Sequence, residues 1–126
     1  MLNPSENIPT ILAAYGATGD LMRRKVIPAL YYLFEKGELP SHFCVVGFSR
    51  RDLTDETFRD FIVTTISEHR QKEISKASLA SFLRIFRFQR GDFDETESYI
   101  ALKRTFDALD KEWGLCSNKL FYLSVA

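Results

Sequence analysis

A glycine-containing turn is the segment of this sequence best suited to hold a ligand. Gly16-Ala-Thr-Gly19 follows the apolar run 10–15 and precedes a long helical pattern. Where a strand enters a helix in this way, backbone N–H groups at the start of the helix face an anion, and glycine leaves room for a phosphate to approach. The turn therefore predicts a pyrophosphate site, with these candidate residues: Gly16, Ala17, Thr18, Gly19, Asp20 and Leu21.

The glycine spacing matches the dinucleotide fingerprint G-x-G-x-x-G at two of its three glycines. Gly16 falls at the position of close pyrophosphate approach and Gly19 at the position of helix–strand packing, while Ala14 replaces the first glycine. Any short turn also favours glycine, because glycine adopts positive φ without strain, so an ordinary turn stays open. We expect Thr18 to offer its hydroxyl to a phosphate or ribose. We expect Asp20 to cap the helix and organise the loop.

An arginine after the second apolar run predicts which coenzyme binds. Dinucleotide-binding proteins place an acid here for the ribose 2′-OH of NAD, or a base for the 2′-phosphate of NADP. Arg50 stands there, and its guanidinium can pair bidentately with phosphate oxygens. Arg51 is a second candidate, more simply explained as a solvated residue, and Asp52 fits a helix cap better than an NAD-type acid. The expected cofactor is NADP, with NAD also possible.

Two further segments follow predicted strands, where open α/β sheets bind ligands. Gly91-Asp92-Phe93 is expected to line the adenine pocket, although Phe93 also fits a core position. The end of the last apolar run is expected at the ligand crevice. The added cofactor-binding candidates are Asp92, Phe93, Ser124, Val125 and Ala126.

These segments are positioned by alternating strands and helices. Strands are predicted at 10–15, 43–48, 85–88 and 120–126, and helices at 20–36, from a cap at Asp52 or Thr54 to about 66, at 75–82 and at 95–109. Pro28 predicts a bend near Val26 or two short helices. The order implies right-handed βαβ units, hence an α/β Rossmann-type doubly wound parallel sheet with helices on both faces. The last strand ends at Ala126 without a turn, which predicts truncation after the fourth strand.

Composition excludes several function classes. The 17 basic and 17 acidic residues cancel, which argues against nucleic acid or an anionic membrane as a partner. No apolar run approaches the ~20 residues of a membrane span, and no signal peptide is evident, so a cytoplasmic protein is expected. Cys44 and Cys116 lie far apart and His42 and His69 are isolated, so no metal site is expected. Cys44 is expected to be a buried free thiol.

Three stretches together resemble the glucose-6-phosphate dehydrogenase family: 16–34, which follows its GxxGDLxxRK opening, 46–50 and 118–126. The resemblance implies NADP-dependent oxidation of glucose 6-phosphate to 6-phosphogluconolactone in the pentose phosphate pathway. It also implies that the catalytic histidine and aspartate lie downstream, so no catalytic residue is expected here and the fragment is expected to be inactive. Lys25 of the motif is implied to lie on the substrate side.

The resemblance also implies a domain organisation. We expect a tail at 1–9 and a partial NADP-binding domain at 10–126. A β+α domain that completes the sugar site and forms a homo-oligomer would lie in the full-length protein.

Two alternatives remain at this point. A short-chain reductase or epimerase shares a similar turn, but it needs a further glycine where Met22 stands, and the Tyr99 and Lys103 pair comes too early to be catalytic. A non-enzymatic nucleotide-binding module would show the same fold without the enzyme's downstream residues.

Overall fold

The structure is a computed structural model, which describes residues 7–69, 74–92 and 94–123. Four strands alternate with helices along these residues. The elements are β1 (Thr10–Tyr15), α1 (Ile27–Glu35), β2 (Phe43–Ser49), α2 (Asp55–His69), α3 (Lys76–Leu83), β3 (Phe86–Arg90), α4 (Thr96–Trp113) and β4 (Asn118–Leu123).

The four strands form one parallel sheet in the order β3-β2-β1-β4. Thr10 at the start of β1 pairs with Phe43 and with Asn118, so the amino ends of these strands are level. At the other edge Ser49 pairs with Arg90, the last residues of β2 and β3. The carboxyl ends therefore meet along one edge of the sheet, as predicted.

Helices cover both faces of the sheet. On one face, apolar residues of α1, α2 and α3 pack on the strands, with Ile62 and Phe82 fully buried. On the other face α4 packs on β1 and β2 through Leu102, Phe106 and Leu109. Successive side chains of a strand point to opposite faces, so β1 and β2 contribute apolar residues to both layers. The doubly wound architecture is confirmed.

Pro28 is accommodated by a π-helical turn. The turn spans Met22–Val26 and leads directly into α1, and the N–H of Ile27 donates to the carbonyl of Met22, five residues earlier. A proline ring collides with the carbonyl four residues earlier in a regular α-helix, and the wider turn relieves that contact. The predicted interruption is real, but it is a π-turn at Met22–Val26 rather than a break into two helices.

Several element ends differ from the prediction. Thr54, not Asp52, caps α2, because the Thr54 hydroxyl accepts from the N–H of Thr57 at 3.1 Å. β3 extends to Arg90, two residues beyond the predicted end. α4 continues to Trp113 and stops at Gly114, whose φ of 70° gives the left-handed helix end.

The end of α4 is tied to β4 by a partly buried ion pair. Asp110 accepts hydrogen bonds from the Lys119 ammonium and the Ser117 hydroxyl. Burial acts to raise the pKa of the Asp110 carboxyl, but the hydrogen bonds from Lys119 and Ser117 outweigh it and leave the pKa below its ordinary value. This carboxylate therefore stabilises the α4–β4 connection in its charged form.

β4 pairs only with β1 among the described strands, and it leaves apolar side chains exposed. Leu120, Phe121 and Leu123 are each more than half exposed. Of the two cysteines, Cys44 is buried and Cys116 is exposed, and both are free thiols. In the part of the chain that the structure describes, no helix is long and apolar enough to cross a membrane, and no cluster of side chains has the composition of a metal site.

Candidate coenzyme-binding site

The glycine loop lies at the carboxyl edge of the sheet. Gly16 has a φ of 76°, which glycine adopts without strain. Its N–H donates to the Phe48 carbonyl at 3.0 Å, and the N–H of Gly19 donates back to the Gly16 carbonyl at 2.8 Å. The first bond fixes the loop against β2, and the second closes the turn. Among the described residues no carbonyl accepts from the N–H of Ala17 or Thr18, so these donors are available to an anion.

One fingerprint position does not have the role that the spacing suggested. Ala14 lies inside β1, paired with Gly47 and Tyr122, and takes no part in the turn. Gly16 is the residue whose positive φ makes the turn. The loop is therefore built by Gly16 and Gly19, and an alanine at position 14 does not strain the turn.

A glycine in β2 lets the loop pack closely on the core. Ala17 is fully buried. A Cβ placed on Gly47 would lie 2.9 Å from the Ala17 Cβ and 2.7 Å from a ring carbon of Phe58, closer than real side chains approach. Only glycine at position 47 lets Ala17 and Phe58 meet here. Ala17 thus contributes its backbone to the site while its methyl group anchors the loop.

Asp20 is not the helix cap that we expected. Its carboxylate accepts from Arg23 at 2.9 Å and from Arg24 at 2.9 Å, and no backbone N–H among the described residues donates to it. The hydrogen bond from Arg23 lowers the pKa of the Asp20 carboxyl, with Arg24 adding to the effect. Two arginines in the following turn therefore occupy the carboxylate that a cap would use. Leu21 follows at the helix start, with its side chain exposed.

Arginines after β2 reach both neighbouring loops. Arg50 Nε lies 3.6 Å from Asp92 Oδ2, and the Arg50 side chain is 76% exposed. Arg51 Nη1 donates to the Thr18 hydroxyl at 3.0 Å, which joins the loop after β2 to the glycine loop. The predicted candidates Thr18, Arg50 and Asp92 therefore lie around one edge of the sheet. Arg51, expected to be solvated, makes a specific contact there.

Asp92 organises the start of α4. Its N–H donates to the Ser98 hydroxyl at 2.9 Å, and its carboxylate accepts from the N–H of Asp94 at 3.2 Å. Gly91 next to it has no room for a side chain, since a Cβ would lie 2.5 Å from the Phe48 ring. Beside these residues is an open cleft of about 390 Å³, lined by Arg50, Arg90, Gly91, Asp92, Glu95 and Ser98. The cleft has the position expected for the adenosine end of a dinucleotide.

Several predicted residues lie elsewhere or outside the described residues. Phe93, Ser124, Val125 and Ala126 fall outside the described residues. Lys25 is exposed in the π-helical turn and makes no hydrogen bond or ion pair with a described residue. His42 lies at the amino edge of the sheet, where its carbonyl accepts from the N–H of Thr10 and its ring contacts Trp113, so it is remote from the glycine loop.

Sequence reasoning missed Arg90, Ser98 and Gly47. Arg90 ends β3 directly beside the end of β2, and an extension of the predicted third strand by two residues would have placed it at the site. Ser98 is buried on α4 and is recognisable only from the fold, because nothing in its local sequence marks it. Gly47 sits inside an apolar strand, where a glycine often marks a close approach.

A parallel doubly wound sheet with a phosphate-type glycine loop and an arginine after β2 defines this chain as a nucleotide-binding domain of the Rossmann class. Residues 13–126 match the family model described as glucose-6-phosphate dehydrogenase, NAD binding domain. The chain belongs to this family. The membership confirms the nicotinamide coenzyme class, and it favours the dehydrogenase over the short-chain reductase and the non-enzymatic module.

Curated relatives agree with the family match. Glucose-6-phosphate 1-dehydrogenase of Chlamydia pneumoniae is 39% identical over 116 residues, which are 92% of this chain and 23% of that protein. The enzyme of the same name from Leuconostoc mesenteroides is 31% identical over 119 residues, 94% of this chain and 24% of that protein. The chain thus spans about a quarter of the length of these relatives.

Solved structures show the same fold. A glucose-6-phosphate dehydrogenase in complex with its substrate glucose-6-phosphate matches with a TM-score of 0.84 at 26% identity, over 100% of this chain and 26% of that one. Glucose-6-phosphate 1-dehydrogenase from Mycobacterium avium matches with a TM-score of 0.77 at 25% identity, over 94% of this chain and 24% of that one.

Proposed function

We propose that this chain is the coenzyme-binding part of an NADP-dependent glucose-6-phosphate dehydrogenase. The reaction would oxidise C1 of glucose 6-phosphate: the C1 hydrogen leaves as hydride, the hydroxyl proton goes to a base, and 6-phosphogluconolactone forms. Bound NADP supplies the hydride acceptor. Family membership supports the reaction, and the position of Arg50 at the carboxyl end of β2 is the observation that carries the choice of coenzyme.

The described residues fit a dinucleotide. The N–H groups of Ala17 and Thr18 would bind the pyrophosphate, because no described residue accepts from them and the glycines beside them carry no side chain that could block the ligand. Leu21 would add the first N–H of the helix. The Thr18 hydroxyl accepts from Arg51, so its own O–H would be a further donor to the ligand.

Arg50 would bind the 2′-phosphate of the adenosine. Its only ion pair with a described residue is the long one to Asp92, 3.6 Å and outside hydrogen-bond range, so little is lost when the guanidinium turns to a phosphate. A guanidinium can meet two phosphate oxygens at once, whereas NAD offers it a single hydroxyl. Asp92 would hold Arg50 near the cleft and, through Ser98, keep the start of α4 in place.

Lys25 would bind the phosphate group of the sugar substrate. It follows the glycine loop by about one and a half helical turns, and its ammonium is exposed without a partner among the described residues. A point charge of this kind attracts a phosphate without needing a fixed geometry. Glucose 6-phosphate as substrate, a homo-oligomer in the full-length protein and a cytoplasmic location all remain predictions.

The chain by itself is expected to bind coenzyme without turnover. Proton abstraction from the C1 hydroxyl needs a base with a pKa near neutral, usually histidine. His42 lies at the amino edge of the sheet, and His69 at the end of α2 is bound to the Thr65 carbonyl at 2.9 Å. Neither contacts the glycine loop among the described residues. NADPH formation, followed by absorbance with glucose 6-phosphate and NADP at saturation, should stay at the level of the blank.

Calorimetric titration with NADP and with NAD tests the coenzyme assignment. Arg50→Ala should weaken NADP binding by about 10- to 100-fold, the range of a hydrogen-bonded charge, and leave NAD binding nearly unchanged. Arg104→Ala is the matched control, since Arg104 is an exposed arginine on α4 that does not line the cleft. An unchanged ratio of the two affinities in Arg50→Ala would overturn the assignment.

A further inference from the structure

Two arginines and two aspartates form crossed ion pairs where β2 and β3 end. Arg50 Nε lies 3.6 Å from Asp92 Oδ2, and Arg90 Nη1 lies 3.9 Å from Asp52 Oδ1. Arg90 Nε also donates to the backbone carbonyl of Arg50 at 3.3 Å. Arg90 therefore contacts both the backbone of the proposed phosphate-binding arginine and the carboxylate two residues after it.

The sheet register fixes this arrangement. Ser49 and Arg90 are paired, and the N–H of Gly91 donates to the Ser49 carbonyl at 2.8 Å, so the loops after β2 and β3 leave the sheet side by side. Arg50 and Arg90 line the same cleft. The side chain of Arg90 is 65% exposed and lines this cleft, whereas Asp52 is 91% exposed and lies beside the cleft through its ion pair with Arg90.

Asp52 is the acidic residue closest in sequence to Arg50, and its charge would disfavour a bound 2′-phosphate. A carboxylate after the second strand favours the ribose 2′-OH of NAD and repels a 2′-phosphate. Since Asp52 does not cap α2, its charge is not used by the helix backbone. Arg90 is the positive group that faces it.

We propose that Arg90 is a second determinant of the preference for NADP over NAD. It is a positioning residue: it holds the Arg50 backbone through the carbonyl bond, and it offsets the charge of Asp52 beside the 2′-phosphate position. This inference rests on the proposed coenzyme function and extends it to a residue on the neighbouring strand.

Affinities for NADP and NAD in Arg90→Ala test the inference. Arg90→Ala leaves Asp52 without its partner at 3.9 Å, a pair of charges worth roughly a factor of five in water, so we expect NADP binding to weaken by up to about fivefold and NAD binding not to weaken. Asp52→Asn in the Arg90→Ala background should restore most of the loss, since it removes the charge that Arg90 offsets. Arg90→Lys keeps the positive charge and should retain most of the preference. Raising the salt concentration should shrink the effect of Arg90→Ala, as both groups are exposed.

The outcomes separate the role of Arg90 from the coenzyme function. If Arg90→Ala weakens NADP and NAD equally, Arg90 has only a structural role and the inference fails. The inference also fails if the ratio of affinities is unchanged, or if Asp52→Asn restores nothing. A preference for NADP that Arg50→Ala abolishes and Arg90→Ala leaves intact would overturn only the role of Arg90. A wild-type chain that binds neither coenzyme would overturn the proposed function and this inference together.

Discussion

Gly47 in β2 links the packing of the core to the coenzyme loop, so replacing it by alanine should affect both. The added Cβ would lie 2.7 and 2.8 Å from two ring carbons of Phe58 and 2.9 Å from the Cβ of Ala17. Phe58 is fully buried, and its ring packs against Phe61, Phe86 and Phe88 at centroid distances of 6.4, 6.0 and 5.5 Å. The ring therefore has little free space into which it can move.

The expected cost follows from these contacts. Overpacking a core costs about 1–3 kcal/mol, and three contacts in a filled aromatic cluster place Gly47→Ala near the upper end. With a urea m-value of about 1.5 kcal/mol per M, a loss of about 2–3 kcal/mol lowers the unfolding midpoint by roughly 1–2 M. Because Ala17 must shift, coenzyme affinity should fall as well. Urea unfolding followed by circular dichroism, with a coenzyme titration, measures both effects.

Two variants distinguish the free-energy cost of overpacking from the backbone cost of replacing a glycine by alanine. Gly37→Ala places a Cβ in open space at a φ of 68°, so it should cost about 1 kcal/mol through the backbone alone and leave coenzyme binding unchanged. Phe58→Leu removes the ring, so its cost should be smaller in the Gly47→Ala background than in the wild type. Strict additivity of the two substitutions, or a Gly47→Ala cost no larger than that of Gly37→Ala, would refute the reasoning.

Three further predictions concern the frame of the site. Burial raises the pKa of the Cys44 thiol to about 11, so a thiol reagent should label only Cys116 in the native chain and both cysteines after denaturation; rapid native labelling of both would contradict this. Asp110→Asn should cost about 1–2 kcal/mol at neutral pH by leaving Lys119 unpaired. Burial acts to raise the pKa of Asp110, but its partners lower it, so the pKa in the folded state lies below the ordinary value. The stability that Asp110 contributes is therefore present above about pH 4 and is lost as pH falls through the folded-state pKa. A difference between variant and wild type that persists at lower pH in unfolding curves would contradict this. Thr54→Ala should cost about 1 kcal/mol in thermal unfolding, and no change would show that α2 needs no cap.

The fold can be predicted where local pattern and tertiary packing agree. The apolar residues of β1, β2 and the buried face of α2 are spaced so that a single secondary structure and packing arrangement buries them all. Each of these three lies within one or two residues of its predicted position. The predicted third strand is too short because Phe86-Arg-Phe-Gln-Arg90 alternates polar and apolar residues and its last residue is polar. Strand pairing, which a local pattern does not contain, decides that end.

The site can be predicted in outline but not in its side-chain detail. The glycine loop and Arg50 follow from position after a strand, which the chain order alone supplies. The partners of Asp20 and Asp52 do not follow, because each carboxylate can either cap a helix or pair with arginines whose positions depend on the folded loops. The predicted strand at 10–15 places Ala14 correctly inside β1, whereas the fingerprint's role for its first glycine does not apply to this position.

The central claim is that a nicotinamide coenzyme binds at the carboxyl edge of this sheet. A ¹H–¹⁵N correlation spectrum of the chain, titrated with NADP, tests it most directly, because each backbone N–H reports on its own surroundings. The account predicts that the largest shifts fall on Ala17, Thr18 and Gly19, with Arg50 moving in the same titration. Shifts confined to the amino edge, around His42 and Trp113, or no shifts at saturating NADP, would contradict it.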